Sequence, residues 1–260
     1  MKKHLLKLSS FISMPLVSLA AISCSNNQNI PPRDFPMLNV ETGLYFNSEG
    51  TVTKYLYSEG TEYKNIVIPE YLVYNSVLTS EYYGYKQRIT TIGDVVFSTE
   101  TKYDPISGEY KPEYNEYAQY LKSITLPNSI ETIGGYAFYG TPLTQIVIPD
   151  SVTYIANGAF RNCKNLESVK LSKNTRDIGG FAFANTAITS IEIPNSIIYI
   201  HDDAFSNTKL RGELYIPDSV IIIYPGAFEG TQITSVSIPK NCKYNEANSF
   251  PPGCDVIRRE

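Results

Sequence analysis

The chain predicts a mainly β fold, a solenoid of about six turns of 22–23 residues, and three observations carry that expectation. Phenylalanine recurs at Phe138, Phe160, Phe183, Phe205, Phe228 and Phe250, and the first five each follow an alanine. In phase with them runs an apolar-x-apolar-Pro motif that ends at Pro127, Pro149, Pro194, Pro217 and Pro239, with Ser172 in the proline place once. Ahead of each proline, apolar and polar residues alternate, which is the period of a half-buried strand. Self-similarity at a fixed period of this size means stacked units, none of which buries its apolar face alone.

Taken in chain order, residues 1–23 carry Lys2, Lys3 and Lys7 ahead of an apolar run from Leu16 to Ile22. That pattern reads as a secretory signal, excluded from the fold. Small residues just before Cys24, in Ala21-Ile22-Ser23-Cys24, resemble the lipobox of bacterial lipoproteins, although Ala21 stands where that family prefers Leu. The resemblance implies a diacylglyceryl thioether on Cys24 and a membrane tether through the N-terminal lipid, worth about 0.8 kcal/mol per buried methylene. Secretion without a lipid is the alternative. No other apolar stretch approaches the roughly 20 residues of a spanning helix. Residues 24–38, polar amides followed by prolines, read as a lipid-anchored linker that builds no core.

Residues 39–64 are expected to form a capping β-hairpin, because Gly43 to Tyr57 alternates on either side of Asn47-Ser48-Glu49-Gly50. An open end rung invites pairing with another chain, so a solenoid needs such a cover. The solenoid itself is expected over 65–250. Its first unit starts at Ile66-Val67-Ile68-Pro69 and reaches Phe97, and a tyrosine-rich insertion near 98–120 delays the next strand to Ser123. Ten of the 21 tyrosines fall between positions 71 and 120. Tyrosine offers a rigid amphipathic surface at low entropic cost, and insertions in a repeat map to loops on one face, often the binding face. Tyr82, Tyr83, Tyr85, Tyr103 and Tyr110 are therefore the candidate binding surface. The alternative is that these rings only cover the side of the solenoid.

The unit 121–143 shows how each turn is expected to work. Ile124 and Leu126 point inward from a strand that Pro127, lacking an N–H, brings to an end. Asn128-Ser129 supplies turn chemistry, and Ile130 and Ile133 return apolar groups to the interior. Gly134-Gly135 lets the backbone bend before Ala137-Phe138 fills the core. Single extra residues near Asn165 and Gly212 account for the 23-residue intervals and are expected as local bulges. Residues 251–260 are expected to close the end as a cap and charged tail, with Val256-Ile257 as one last short strand.

Phrases such as Ile191-Glu192-Ile193-Pro194-Asn195-Ser196-Ile197 and Ile146-Val147-Ile148-Pro149-Asp150-Ser151-Val152, repeated in register, resemble the BspA-type leucine-rich repeat. The resemblance implies a right-handed leucine-rich-repeat solenoid, with a parallel sheet on one side and short turns or strands on the other. It also implies a bacterial cell-surface lipoprotein that binds macromolecules, in adhesion or host interaction.

Little in the chain suggests a reaction. Beyond the leader His201 is the single histidine, read as a solvated turn residue, and no serine or cysteine sits in a nucleophile motif. Asp202-Asp203 lacks the loop of six or more oxygens that a hard cation needs. No enzyme activity, cofactor or metal is expected. Cys163 takes the place that threonine holds in the other units, as a small buried filler, and Cys242 is expected to point inward. A Cys242–Cys254 bridge and two separate thiols both remain open, since spacing alone does not bring two Cα atoms within disulfide range. Without residues 1–23 the remaining 237 carry a net charge of about −7, which argues against a nucleic-acid partner. The expected role is thus an extracytoplasmic, lipid-anchored binder of a protein ligand, from a host or from the envelope. A structural or assembly protein of the cell envelope is the alternative.

Overall fold

Each unit carries two apolar pairs, and the two become strand unequally. The computed structural model describes residues 37–39, 44–55, 65–73, 86–99 and 118–260. Within them the second pair, six residues after the proline place, builds the one continuous wall. Thr91–Ile92, Thr132–Ile133, Tyr154–Ile155, Asp177–Ile178, Tyr199–Ile200, Ile222–Ile223 and Lys243–Tyr244 lie side by side in parallel. In all but the last, the first residue faces outward and an isoleucine no more than 1% exposed faces the core.

The pair before the proline, expected as the main strand, forms shorter and separate sheets. Asn65–Val67 pairs with Ser123–Thr125, Gln145–Val147 with Ser168–Lys170, and Arg211–Tyr215, Gln232–Ile238 and Asp255–Arg258 make a group of three, all parallel. Ile191–Ile193 forms no strand. The reason lies in spacing. From the proline place to the second isoleucine the count is the same in the five middle units, as in Pro127 to Ile133 and Ser172 to Ile178, so that wall stays in register there; only the first unit, from Pro69 to Ile92, and the last, from Pro239 to Tyr244, depart from it. Both single-residue insertions fall just ahead of or within the other wall. The one at Gly212 is a register shift between Gly212 and Glu213, as expected. The one near Asn165 is absorbed in the turn at Lys164–Asn165 and not in a strand bulge.

Corners repeat as strictly as strands. The N–H three residues on donates to the proline carbonyl, from Ile130 to Pro127 (3.1 Å), Val152 to Pro149 (2.9 Å) and Val220 to Pro217 (3.1 Å). Two residues after each phenylalanine from Phe138 to Phe228 the backbone turns left-handed, at Gly140, Asn162, Asn185, Asn207 and Gly230. Glycine and asparagine are the residues that tolerate this conformation. In all but the Asn162 turn, where Cys163 stands, a threonine follows and donates its hydroxyl to the phenylalanine carbonyl at 2.8–2.9 Å, in Thr141, Thr186, Thr208 and Thr231.

The core is a column of rings. Phe97, Phe138, Phe160, Phe183, Phe205, Phe228 and Phe250 stack with centroids 5.1–5.5 Å apart and planes within 10° of parallel. Tyr55 heads the column, 5.3 Å from Phe97 and tilted by 41°.

At the N-terminal end, β1 (Met37–Asn39), β2 (Leu44–Phe46) and β3 (Thr51–Tyr55) run antiparallel, and β3 pairs with Thr91–Ile92, so the wall has ten strands. The expected hairpin is thus a three-stranded cap whose first strand begins inside the stretch read as linker, with Met37 fully buried. Asn47 shapes the turn by accepting the N–H groups of Glu49 and Thr51 at 3.1 and 3.0 Å. At the other end, Asp255–Arg258 adds the last strand, and the Arg259 guanidinium folds back to the carbonyls of Ile216 (2.7 Å) and Ser237 (2.9 Å).

Candidate binding surfaces

Cys24, Tyr82, Tyr83, Tyr85, Tyr103 and Tyr110, the residues the sequence singles out, lie outside the described residues. What the structure places is the turn from which their segments depart. β4 (Asn65–Val67) leads through Pro69 into β5 (Tyr71–Val73), which pairs antiparallel with β6 (Lys86–Arg88) as a ribbon around segment 74–85. Segment 100–117 departs from the same turn, between Thr99 and Ala118. The core continues beneath it, since Phe97 stacks directly on Phe138.

This turn also carries much of the exposed apolar surface. Leu72 is buried, while Tyr71 and Val73 on the same strand face outward, as do Val67 and Tyr120, the latter two with more than half their surface in solvent. Lys86 holds its ammonium 4.4 Å from the centre of the Tyr71 ring, and Arg88 pairs with Glu70 at 3.3 Å. Aromatic bodies with polar tips, framed by cations, are the surface chemistry that protein partners bury.

A second feature lies further along the solenoid. An open groove of about 870 Å³ crosses four turns, from Asp150 to Ile221. It follows the corner after the proline place, where Ser151, Asn174, Ser196 and Ser219 recur, and its floor carries Ile198 and Ile221. Lys173 donates to Asp150 at 2.9 Å, and this bond holds the Asp150 carboxyl below its usual range. One residue beyond the lining of the groove, the outer face of the wall bears Tyr154, Asp177 and Tyr199, then His201 and Tyr224. The His201 and Tyr224 rings are 4.9 Å apart and within 6° of parallel. His201 Nε2 lies 3.5 Å from Asp177 Oδ1, so this histidine is half-buried in a stack and not a free solvated turn. Burial, with the Asp177 charge second, pushes the Tyr154 hydroxyl pKa up.

Burial raises the Cys163 thiol to about 12 and the Cys242 thiol to about 11, and a reactive cysteine needs the thiolate. Cys163 fills its rung as expected, fully buried and bonded to Thr141 Oγ1 at 3.3 Å and to the Phe138 carbonyl at 3.0 Å. Cys242 and Cys254 are separate thiols. Among the described residues there is no group of three metal-ligating side chains, and no helix long and apolar enough to cross a membrane. The groove went unread in the sequence because its serines and asparagines pass for ordinary turn residues. Their recurrence two places after the proline was the available signal.

The fold and its repeat define a leucine-rich-repeat solenoid. The model of the BspA type leucine rich repeat region, in six copies, matches residues 112–211 and 176–256, and the chain belongs to that family. Among solved structures, a leucine rich cell surface protein from Faecalibacterium prausnitzii is similar at 20% identity, covering 86% of this chain and 74% of that one, with a TM-score of 0.34. A leucine-rich repeat protein from Bacteroides ovatus matches at 21% identity over 81% of this chain and 65% of that one, with a TM-score of 0.39. The leucine rich repeat protein of T. pallidum matches at 16% identity over 89% and 86%, with a TM-score of 0.44. No curated protein matches the chain.

Proposed function

We propose that the chain is a non-catalytic, lipid-anchored surface protein that binds a protein partner through the first turn of its solenoid. The single observation that supports this most is that both tyrosine-bearing segments, 74–85 and 100–117, leave from one turn that also exposes Tyr71, Val73, Val67 and Tyr120. Family membership supports a binding role, since repeat solenoids present extended surfaces. The tether at Cys24 and the extracytoplasmic location rest on the leader and the lipobox resemblance.

The test uses the mature chain from Cys24 as bait against host serum and against envelope extracts. Tyr82→Ser/Tyr83→Ser/Tyr85→Ser is expected to lose the captured protein while keeping the melting temperature, and Tyr71→Ser to weaken capture. Capture unchanged in both variants would move the binding surface elsewhere. Mass spectrometry of the product made in the cell is expected to show an acylated Cys24 as first residue; an unmodified one removes the tether.

A further inference from the structure

We propose that the groove across the middle turns is a second binding site, for an uncharged, hydroxyl-rich polysaccharide strand. Its chemistry selects that class. The lining offers hydroxyls, amides and one guanidinium, with Asp150 already held by Lys173, so no cluster of like charge is presented to a polyanion. Ser196 donates to the Thr175 carbonyl at 2.6 Å and Ser151 to that of Ile130, which leaves their oxygens as acceptors. Asn174 donates to the Asp150 carbonyl at 2.8 Å and keeps its own carbonyl free. Ser219 occupies the matching place one turn on, but its hydroxyl oxygen is buried, so the lining offers a ligand no hydroxyl there. Acceptors on these turn residues, beside the donors that Arg176 and Asn195 carry, match a ligand whose hydroxyls both donate and accept.

The same geometry disfavours an extended peptide. The wall strands at this position are paired on both sides, so a peptide has no edge to extend. Ile198 and Ile221 sit on consecutive turns as a flat apolar strip and not a hole for an anchoring side chain. Tyr199 follows Ile198 in the chain, one residue beyond the lining, and the flat C–H faces of sugar rings meet aromatic faces through weak C–H contacts. Lining groups repeat at the rung spacing of about 4.8 Å, a lattice suited to a polymer of repeated units.

The test is titration calorimetry of the mature chain with cellohexaose, mannohexaose and chitohexaose, with polygalacturonate as the acidic counter-probe. At least one neutral hexasaccharide is expected to bind. Arg176→Ala/Asn195→Ala is expected to weaken it tenfold or more, and Tyr199→Ala likewise, with melting temperatures kept for the exposed pair. Absence of binding by all three, binding indifferent to Arg176→Ala/Asn195→Ala, or binding of polygalacturonate alone that salt abolishes would each overturn the proposal. Tyr82→Ser/Tyr83→Ser/Tyr85→Ser is expected to leave saccharide binding unchanged, so this site and the protein-binding turn stand or fall separately.

Discussion

Phe97 and Phe138 are 41 positions apart in the chain, yet their rings lie 5.1 Å apart and within 3° of parallel. Every other neighbouring pair of phenylalanines in the column is separated by 22 or 23 positions. The insertion near 98–120 is therefore an excursion from an unbroken core. The described residues at its two ends, Ser98 and Ala118, are both fully buried, and the next strand, Ser123–Thr125, pairs directly with Asn65–Val67.

Stacking makes ring removal most costly in the middle of the column. Phe183→Ala is expected to destabilise by about 3–5 kcal/mol, the range for a fully buried phenylalanine, because rings on both sides lose a partner. Phe250→Ala, stacked on one side, is expected to cost roughly half as much. Urea unfolding of the two variants checks the ranking, and equal losses would contradict it.

Backbone handedness gives a prediction of opposite signs. Gly158 has φ +64°, and a Cβ there would lie 2.5 Å from the Tyr136 ring, so Gly158→Ala is expected to lower stability by about 2 kcal/mol or more. Val95 occupies the equivalent place one turn before Tyr136 with φ +57°, a conformation that disfavours a β-branched residue. Val95→Gly is expected to raise stability by about 0.5 kcal/mol, the left-handed penalty less the added entropy of glycine in the unfolded chain. Thermal melting reads both.

Two thiols make stability fall at high pH. Cys163 and Cys242 are raised by burial from 9.0 to about 12 and about 11, so above pH 9 the unfolded chain gives up protons that the folded one keeps. Their contribution is complete below pH 9 and is lost as pH climbs toward 11–12. Cys163→Thr, which restores the residue found at Thr141, Thr186, Thr208 and Thr231, is expected to fold normally and to flatten that slope. Unfolding curves at pH 8 and pH 10.5 for both proteins measure the difference.

The return of Arg259 is expected to hold the last strand. Its guanidinium bonds two carbonyls and Asp218 (2.5 Å), and lies 4.3 Å from the centre of the Tyr215 ring. Arg259→Ala is expected to cost about 2 kcal/mol and to raise amide exchange over Asp255–Arg258. Asp218→Ala, at an exposed carboxylate, is expected to change stability by less than about 1 kcal/mol.

Much of this architecture was legible in the chain because each rung repeats its own chemistry. The spacing of Ala-Phe pairs gave the column, and the proline motif gave one corner of every turn. Which wall would be continuous was not legible. That depends on where Lys164–Asn165 and Gly212 place their extra residues, a matter of register between neighbours and not of composition. The asparagines and glycines two places after each phenylalanine were visible, but their left-handed role emerges only with backbone angles. Met37 was hidden by the prolines and polar residues around it. The groove escaped for a similar reason, since serine and asparagine at a corner look the same whether they serve only the turn or also face a ligand.

One ring column runs through the turns from Phe97 to Phe250, across the insertion. Selective labelling of phenylalanine rings with ring-to-ring nuclear Overhauser measurements tests it most directly. Cross-peaks are expected for Phe97 with Phe138 and for Phe138 with Phe160, and none for Phe97 with Phe160. A Phe138–Phe160 contact without the Phe97–Phe138 contact would contradict it.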